Sequence, residues 1–91
     1  MAQLEVDLVD ADGKVWSGAA RSLTAPASEG EMGILPGHTP VLAVLQAGEV
    51  RVTEHDGGPV LRWTVDGGFL SVDADQVTVV VDDARPVVEA H

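Results

Sequence analysis

The chain has 91 residues, enough for one domain, and a 45 % hydrophobic fraction that is ordinary for a globular protein. Fifteen acidic residues against five basic ones give a formal net charge of -10, which repels phosphate backbones and anionic lipid headgroups and argues against nucleic-acid binding. There is no cysteine, which excludes disulfides, thiol nucleophiles and thiolate metal sites.

The first residues, Met1-Ala2-Gln3-Leu4-Glu5, lack the positive region and apolar stretch of a secretory signal. Apolar runs such as Val41 to Leu45 are far short of the ~20 residues a membrane helix needs, so no direct membrane insertion is expected. Leu4, Val6 and Leu8 alternate with Glu5 and Asp7, a period of two that predicts a strand with one buried face. Asp10-Ala11-Asp12-Gly13 then reads as a turn before Lys14-Val15-Trp16. It resembles the opening of a calcium loop, but that loop needs glycine at its sixth position, where Val15 stands.

Residues 25–40 break the rhythm. Three prolines and three glycines there predict a long shaped loop, holding at most one short strand at Met32 to Leu35. Gly30-Glu31-Met32-Gly33 lacks the lysine and following helix of a phosphate loop. Val41 to Leu45 is a strand, its brevity outweighing the helix start that Thr39-Pro40 would allow. Val50 and Val52 form the next strand, and His55-Asp56-Gly57-Gly58 a hairpin connection. Leu61, Trp63 and Val65 follow, with Trp63 expected in the core; breaks at Asp66-Gly67-Gly68 and Asp73-Ala74-Asp75 precede Val77, Val79 and Val81. The stretch Ala84 to His91 is expected to be loosely held. The reading is an all-β, two-sheet β-sandwich of about eight to ten short strands in residues 1–85, with a tail at 86–91 and no C-terminal helical domain.

Catalytic chemistry is not evident. His38, His55 and His91 form no short metal-binding pair, and Ser17 and Ser28 have no adjacent base or nucleophile elbow. No cofactor and no metal are expected, and the chain reads as a non-enzyme. Lys14, the only lysine, follows a turn, which opens the alternative of a lipoyl-type carrier modified there; Gly13-Lys14-Val15 does not match the usual tip of such domains. An unrelated β-sandwich adaptor is the other alternative.

The segment Gly30-Glu31-Met32-Gly33-Ile34-Leu35-Pro36-Gly37-His38-Thr39-Pro40 resembles the signature of bacterial ATP synthase epsilon subunits. Val15-Trp16-Ser17-Gly18, Leu45-Gln46-Ala47-Gly48-Glu49-Val50-Arg51-Val52 and Asp66-Gly67-Gly68-Phe69-Leu70-Ser71-Val72 resemble further family segments. The resemblance implies a β-sandwich in the central stalk of a proton-translocating F-type ATP synthase, peripheral on the cytoplasmic face of the membrane. It implies that Ser28, Glu29, Gly30, Glu31, Met32 and Gly33 face the c-ring. It implies equally that Asp10, His38, Thr39, Pro40, Val41 and Leu42 face the gamma subunit. The family's nucleotide-responsive and inhibitory helices have no counterpart before His91, so bound ATP is not expected.

Overall fold

The computed structural model describes residues 2–87. Ten strands follow one another: β1 Leu4–Asp10, β2 Gly13–Ala20, β3 Ser22–Ala27, β4 Gly30–Ile34, β5 Val41–Leu45, β6 Gly48–Thr53, β7 Val60–Val65, β8 Gly68–Asp73, β9 Gln76–Val81 and β10 Ala84–Pro86. They form two five-stranded layers. One runs β4-β3-β6-β7-β10 and the other β5-β8-β9-β1-β2, hydrogen-bonded to each other through β3 and β5. All pairs are antiparallel except β1 with β9.

The period of two does what sequence alone predicts. Leu4, Val6 and Leu8 of β1 and Val77, Val79 and Val81 of β9 turn inward. They meet Leu23, Ile34, Val50, Val52, Trp63 and Val65 of the facing layer in one apolar cluster. No polar or charged side chain is buried among the described residues. Trp63 of β7 and Trp16 of β2 close the gap between layers, with ring centroids 5.9 Å apart and planes tilted by 45°.

Residues 25–40 differ from the expected loop. β3 runs through Ala27 and β4 begins at Gly30, so most of the segment is a hairpin turning at Ser28-Glu29. The strand at Met32 to Leu35 is displaced to Gly30–Ile34, and Leu35 lies outside it, exposed. The inward residues of β3 are Leu23, Ala25 and Ala27, and alanine contributes little to a hydrophobic pattern. Pro26 is tolerated because β3 pairs β6 only at Ser22 to Thr24 and β5 only at Ala27. The missing N–H falls in the gap, while the Pro26 carbonyl accepts from Gln46 N at 2.8 Å. Gly48 allows this crossing, since a Cβ there would lie 2.7 Å from Pro26 Cβ.

The expected loose tail also differs. Ala84 to Pro86 pair with Val65 to Trp63 of β7, and Val87 N donates to Arg62 O at 2.9 Å. Residues 88–91 lie outside the described residues. The hairpin at His55 to Gly58 forms between β6 and β7, with Gly58 N donating to His55 O at 3.0 Å. The β8–β9 connection is a two-residue turn with both central residues left-handed, Ala74 at φ 50 and Asp75 at φ 65, which matches the twist of a hairpin.

Candidate interaction surface

The β3–β4 hairpin projects beside β5. Ser28 N donates to Val44 O at 2.9 Å, so the tip is fixed to the second layer. Glu29 and Gly30 are exposed at the tip, Gly30 with a positive φ, and Gly33 is open on the surface. Met32 packs against the core. Glu31 points outward, where its carboxylate meets Arg51 Nη2 of β6 at 2.7 Å. Arg51 reaches Glu49 at 3.3 Å, and Arg62 reaches the same carboxylate at 3.8 Å, giving a row of alternating charge across the first layer.

Leu35-Pro36-Gly37-His38 is a tight turn closed by His38 N donating to Leu35 O at 3.1 Å. Pro36 presets the second position and Gly37, at φ 86, supplies the left-handed third, the pattern of a type II turn. The Gly37 N–H donates to Asp75 Oδ1 at 2.7 Å, across to the β8–β9 turn. His38 Nδ1 lies 2.7 Å from Thr39 O, which makes it the donor nitrogen. Thr39 and Pro40 are exposed, Val41 packs on the core, and Leu42 is 73 % exposed.

The residues expected to face gamma are not all in one place. The β5–β8–β9–β1 ladder sets Val41 beside Val72 and Val77, and Leu45 beside Gly68 and Val81. Asp10 ends β1 at the Val81 end, where Ala11 N donates to Asp82 O at 3.3 Å, whereas His38 lies at the Val41 end. The outer face of this sheet stretches between them. On it Val44, Phe69 and Val80 stand in one cross-strand row, with Leu42 on the same face of β5. Phe69 and Val44 are each 55 % exposed. Sequence reading missed Val44, Phe69 and Val80; the signal available was an apolar residue at both parities of β5 and β9. A polar row of Ser71, Thr78 and Asp7 runs alongside. There Lys14 bonds Asp7 at 3.1 Å and Gln76 donates to Asp7 at 3.1 Å. The Lys14 ammonium, seconded by Ser17 and Gln76, holds the Asp7 carboxyl below the usual carboxylate range.

An open groove of about 500 Å³ joins the two expected surfaces, lined by the hairpin tip on one side and by Val41 to Val44 on the other. Its lining combines apolar side chains with Ser28, Glu29 and Glu31 of the hairpin.

The remaining chemistry is structural. Asp10 Oδ1 accepts from Asp12 N at 2.9 Å, so the calcium-like aspartates shape a turn. Lys14 lies within β2, paired with Val9, rather than at a hairpin tip as a carrier lysine would. No group of three or more metal-ligating side chains occurs among the described residues.

Residues 3–87 match the family described as ATP synthase, Delta/Epsilon chain, beta-sandwich domain. An ATP synthase epsilon chain of Micrococcus luteus is 51 % identical over 93 % of this chain and 92 % of its own length. One from Rhodococcus jostii is 45 % identical over 92 % of this chain and 69 % of its own length. Among solved structures, a chain of the Euglena gracilis mitochondrial ATP synthase OSCP/F1/c-ring assembly superposes with a TM-score of 0.87 at 28 % identity. The match covers 94 % of this chain and 54 % of that one, so this chain spans about half its length. A chain of the Tetrahymena thermophila mitochondrial central stalk and c-ring shares the fold, with a TM-score of 0.74 at 21 % identity over 89 % of this chain and 64 % of its own.

Proposed function

The chain belongs to the family of ATP synthase Delta/Epsilon chain beta-sandwich domains, and we propose that it is a non-catalytic rotor part that joins a gamma subunit to a c-ring. The observation that carries this reading is the apolar row Val44–Phe69–Val80, with Leu42, on a molecule of charge -10. An exposed aromatic and three aliphatic side chains on one sheet face make a docking surface, and an aromatic at the centre of such a patch is a usual anchor of binding energy.

In this arrangement gamma covers the outer face of β5-β8-β9, from the His38 turn toward Asp10. The hairpin Ser28 to Gly33 meets polar loops of the c-ring at the cytoplasmic side of the membrane, and Glu31 offers the charge. Coupling rotation asks for a stiff body with two interfaces and for no reactive group. Two layers around one core, cross-linked by β3, supply that stiffness.

The test is assembly. Phe69→Asp, at an exposed position, is expected to keep the parent's melting temperature and to lose co-purification with gamma. Cysteines at Glu31 and in the facing c-ring loop are expected to form a disulfide in the assembled enzyme. If Phe69→Asp still brings gamma down, gamma does not use this face. If only sites on the far side of the sandwich cross-link to the c-ring, the orientation is reversed.

A further inference from the structure

Asp75 occupies an unusual place. It sits in the β8–β9 turn at φ 65, a left-handed conformation that few residues other than glycine, asparagine and aspartate adopt readily. Its backbone carbonyl accepts from Glu5 N at 2.9 Å, which ties the turn to the start of β1. Its side chain reaches a segment 38 residues earlier in the chain and accepts the Gly37 N–H at 2.7 Å. That amide is the central one of the Leu35–His38 turn, and the bond to it is charge-assisted, the short and strong kind. The turn has its own closing bond from His38 to Leu35, but that bond fixes only its shape. The carboxylate of Asp75 adds a direct tie between the turn and the β8–β9 connection, beyond the flanking strands β4 and β5.

We propose that Asp75 is a positioning residue for partner binding: it aims the Pro36–His38 turn, and with it His38, at the gamma subunit, beside the strand-held Leu42. The inference rests on the reading of that segment as a gamma surface. Its physical content is pre-organisation. A loop already held in its bound position loses less conformational entropy on docking, so the anchor is felt in affinity more than in folding.

The choice of variant separates the two roles. In D75G the turn keeps its backbone, because glycine suits a left-handed second position, and only the side-chain anchor is lost. D75N keeps an acceptor oxygen and the tolerance of that conformation. Binding of the full chain to a gamma-containing catalytic complex depleted of it is measured alongside the melting temperature and the Gly37 amide proton resonance. D75G is expected to shift the Gly37 resonance, to melt at or above the parent temperature, and to bind about tenfold more weakly, equivalent to ~1.4 kcal/mol. D75N is expected to restore most of the affinity. Parental affinity in D75G, with the Gly37 resonance shifted, overturns the proposal. So does a D75G whose loss of affinity tracks a lower melting temperature, since the role is then structural. If H38A and L42D both bind as the parent does, the gamma-surface reading itself fails and the positioning role falls with it.

Discussion

Trp63 enters the core from β7 and is only 7 % exposed, although its neighbours Arg62 and Thr64 face outward. It meets Trp16 from the facing layer, so its removal opens a void where no single strand can collapse to fill it. Trp63→Ala is expected to cost about 3–5 kcal/mol in chemical denaturation, and a loss below ~1 kcal/mol would show that the side chain is not a core anchor. At Asp7 the direction of the pKa shift fixes a pH dependence. A depressed carboxyl contributes stability above the ordinary carboxylate range and loses it as pH falls through the lower folded value. Asp7→Asn is therefore expected to melt lower than the parent at neutral pH, with the gap closing below about pH 4. A gap that persists unchanged at pH 2 would mean that the Lys14 pairing contributes nothing through charge.

At the scale of elements, the strands with large inward residues were legible in the sequence, and those with small ones were not. β1, β7 and β9 announce themselves through leucine, valine and tryptophan at alternate positions. β3 hides behind Ala25, Pro26 and Ala27, and its hairpin with β4 looks like loop in sequence because glycine and proline usually break strands. Their tolerance depends on what lies opposite, and that is a tertiary fact. Gly68 shows the same dependence. It begins β8 at φ 143, and a Cβ there would collide with the Val80 carbonyl oxygen of β9. The struck atoms are backbone and a Cβ is placed by its own backbone, so no rotamer can relieve it. Gly68→Ala is expected to cost about 3 kcal/mol or more and to loosen both the β5–β8 and β8–β9 pairs. Hydrogen exchange that leaves the amides of these three strands as protected as in the parent would refute this.

For the molecule as a whole, the balance of charge decides what it can hold. Each of the five lysine and arginine residues has a carboxylate within 4.0 Å: Lys14 with Asp7, Arg21 with Asp56, Arg51 with Glu31, Arg62 with Glu49 and Arg85 with Asp83. A triphosphate would have to displace one of these carboxylates inside a field of net charge -10. Calorimetry with ATP and magnesium is expected to show no micromolar binding, and a dissociation constant near 1 μM, about -8 kcal/mol, would contradict this. The same acidity leaves the apolar row of β5, β8 and β9 as the surface where desolvation, rather than charge, can drive docking.

Local rules determined which face of each strand is buried, because alternation is a property of the extended backbone itself. The residue pattern from Gly30 to Pro40 likewise determined the family, since a run of shaped backbone positions leaves its mark in glycine and proline. What the sequence by itself did not decide is which rows become neighbours. Val44, Phe69 and Val80 become one surface only when three strands settle into register. Asp75 reads as a turn residue until the fold brings Gly37 within 2.7 Å of it. Asp10 and His38 stand at opposite ends of the β5-β8-β9-β1 sheet, a separation that only the fold defines. Register and layer packing are set by contacts between distant segments, and their energy depends on both partners at once, so no single stretch of sequence contains them.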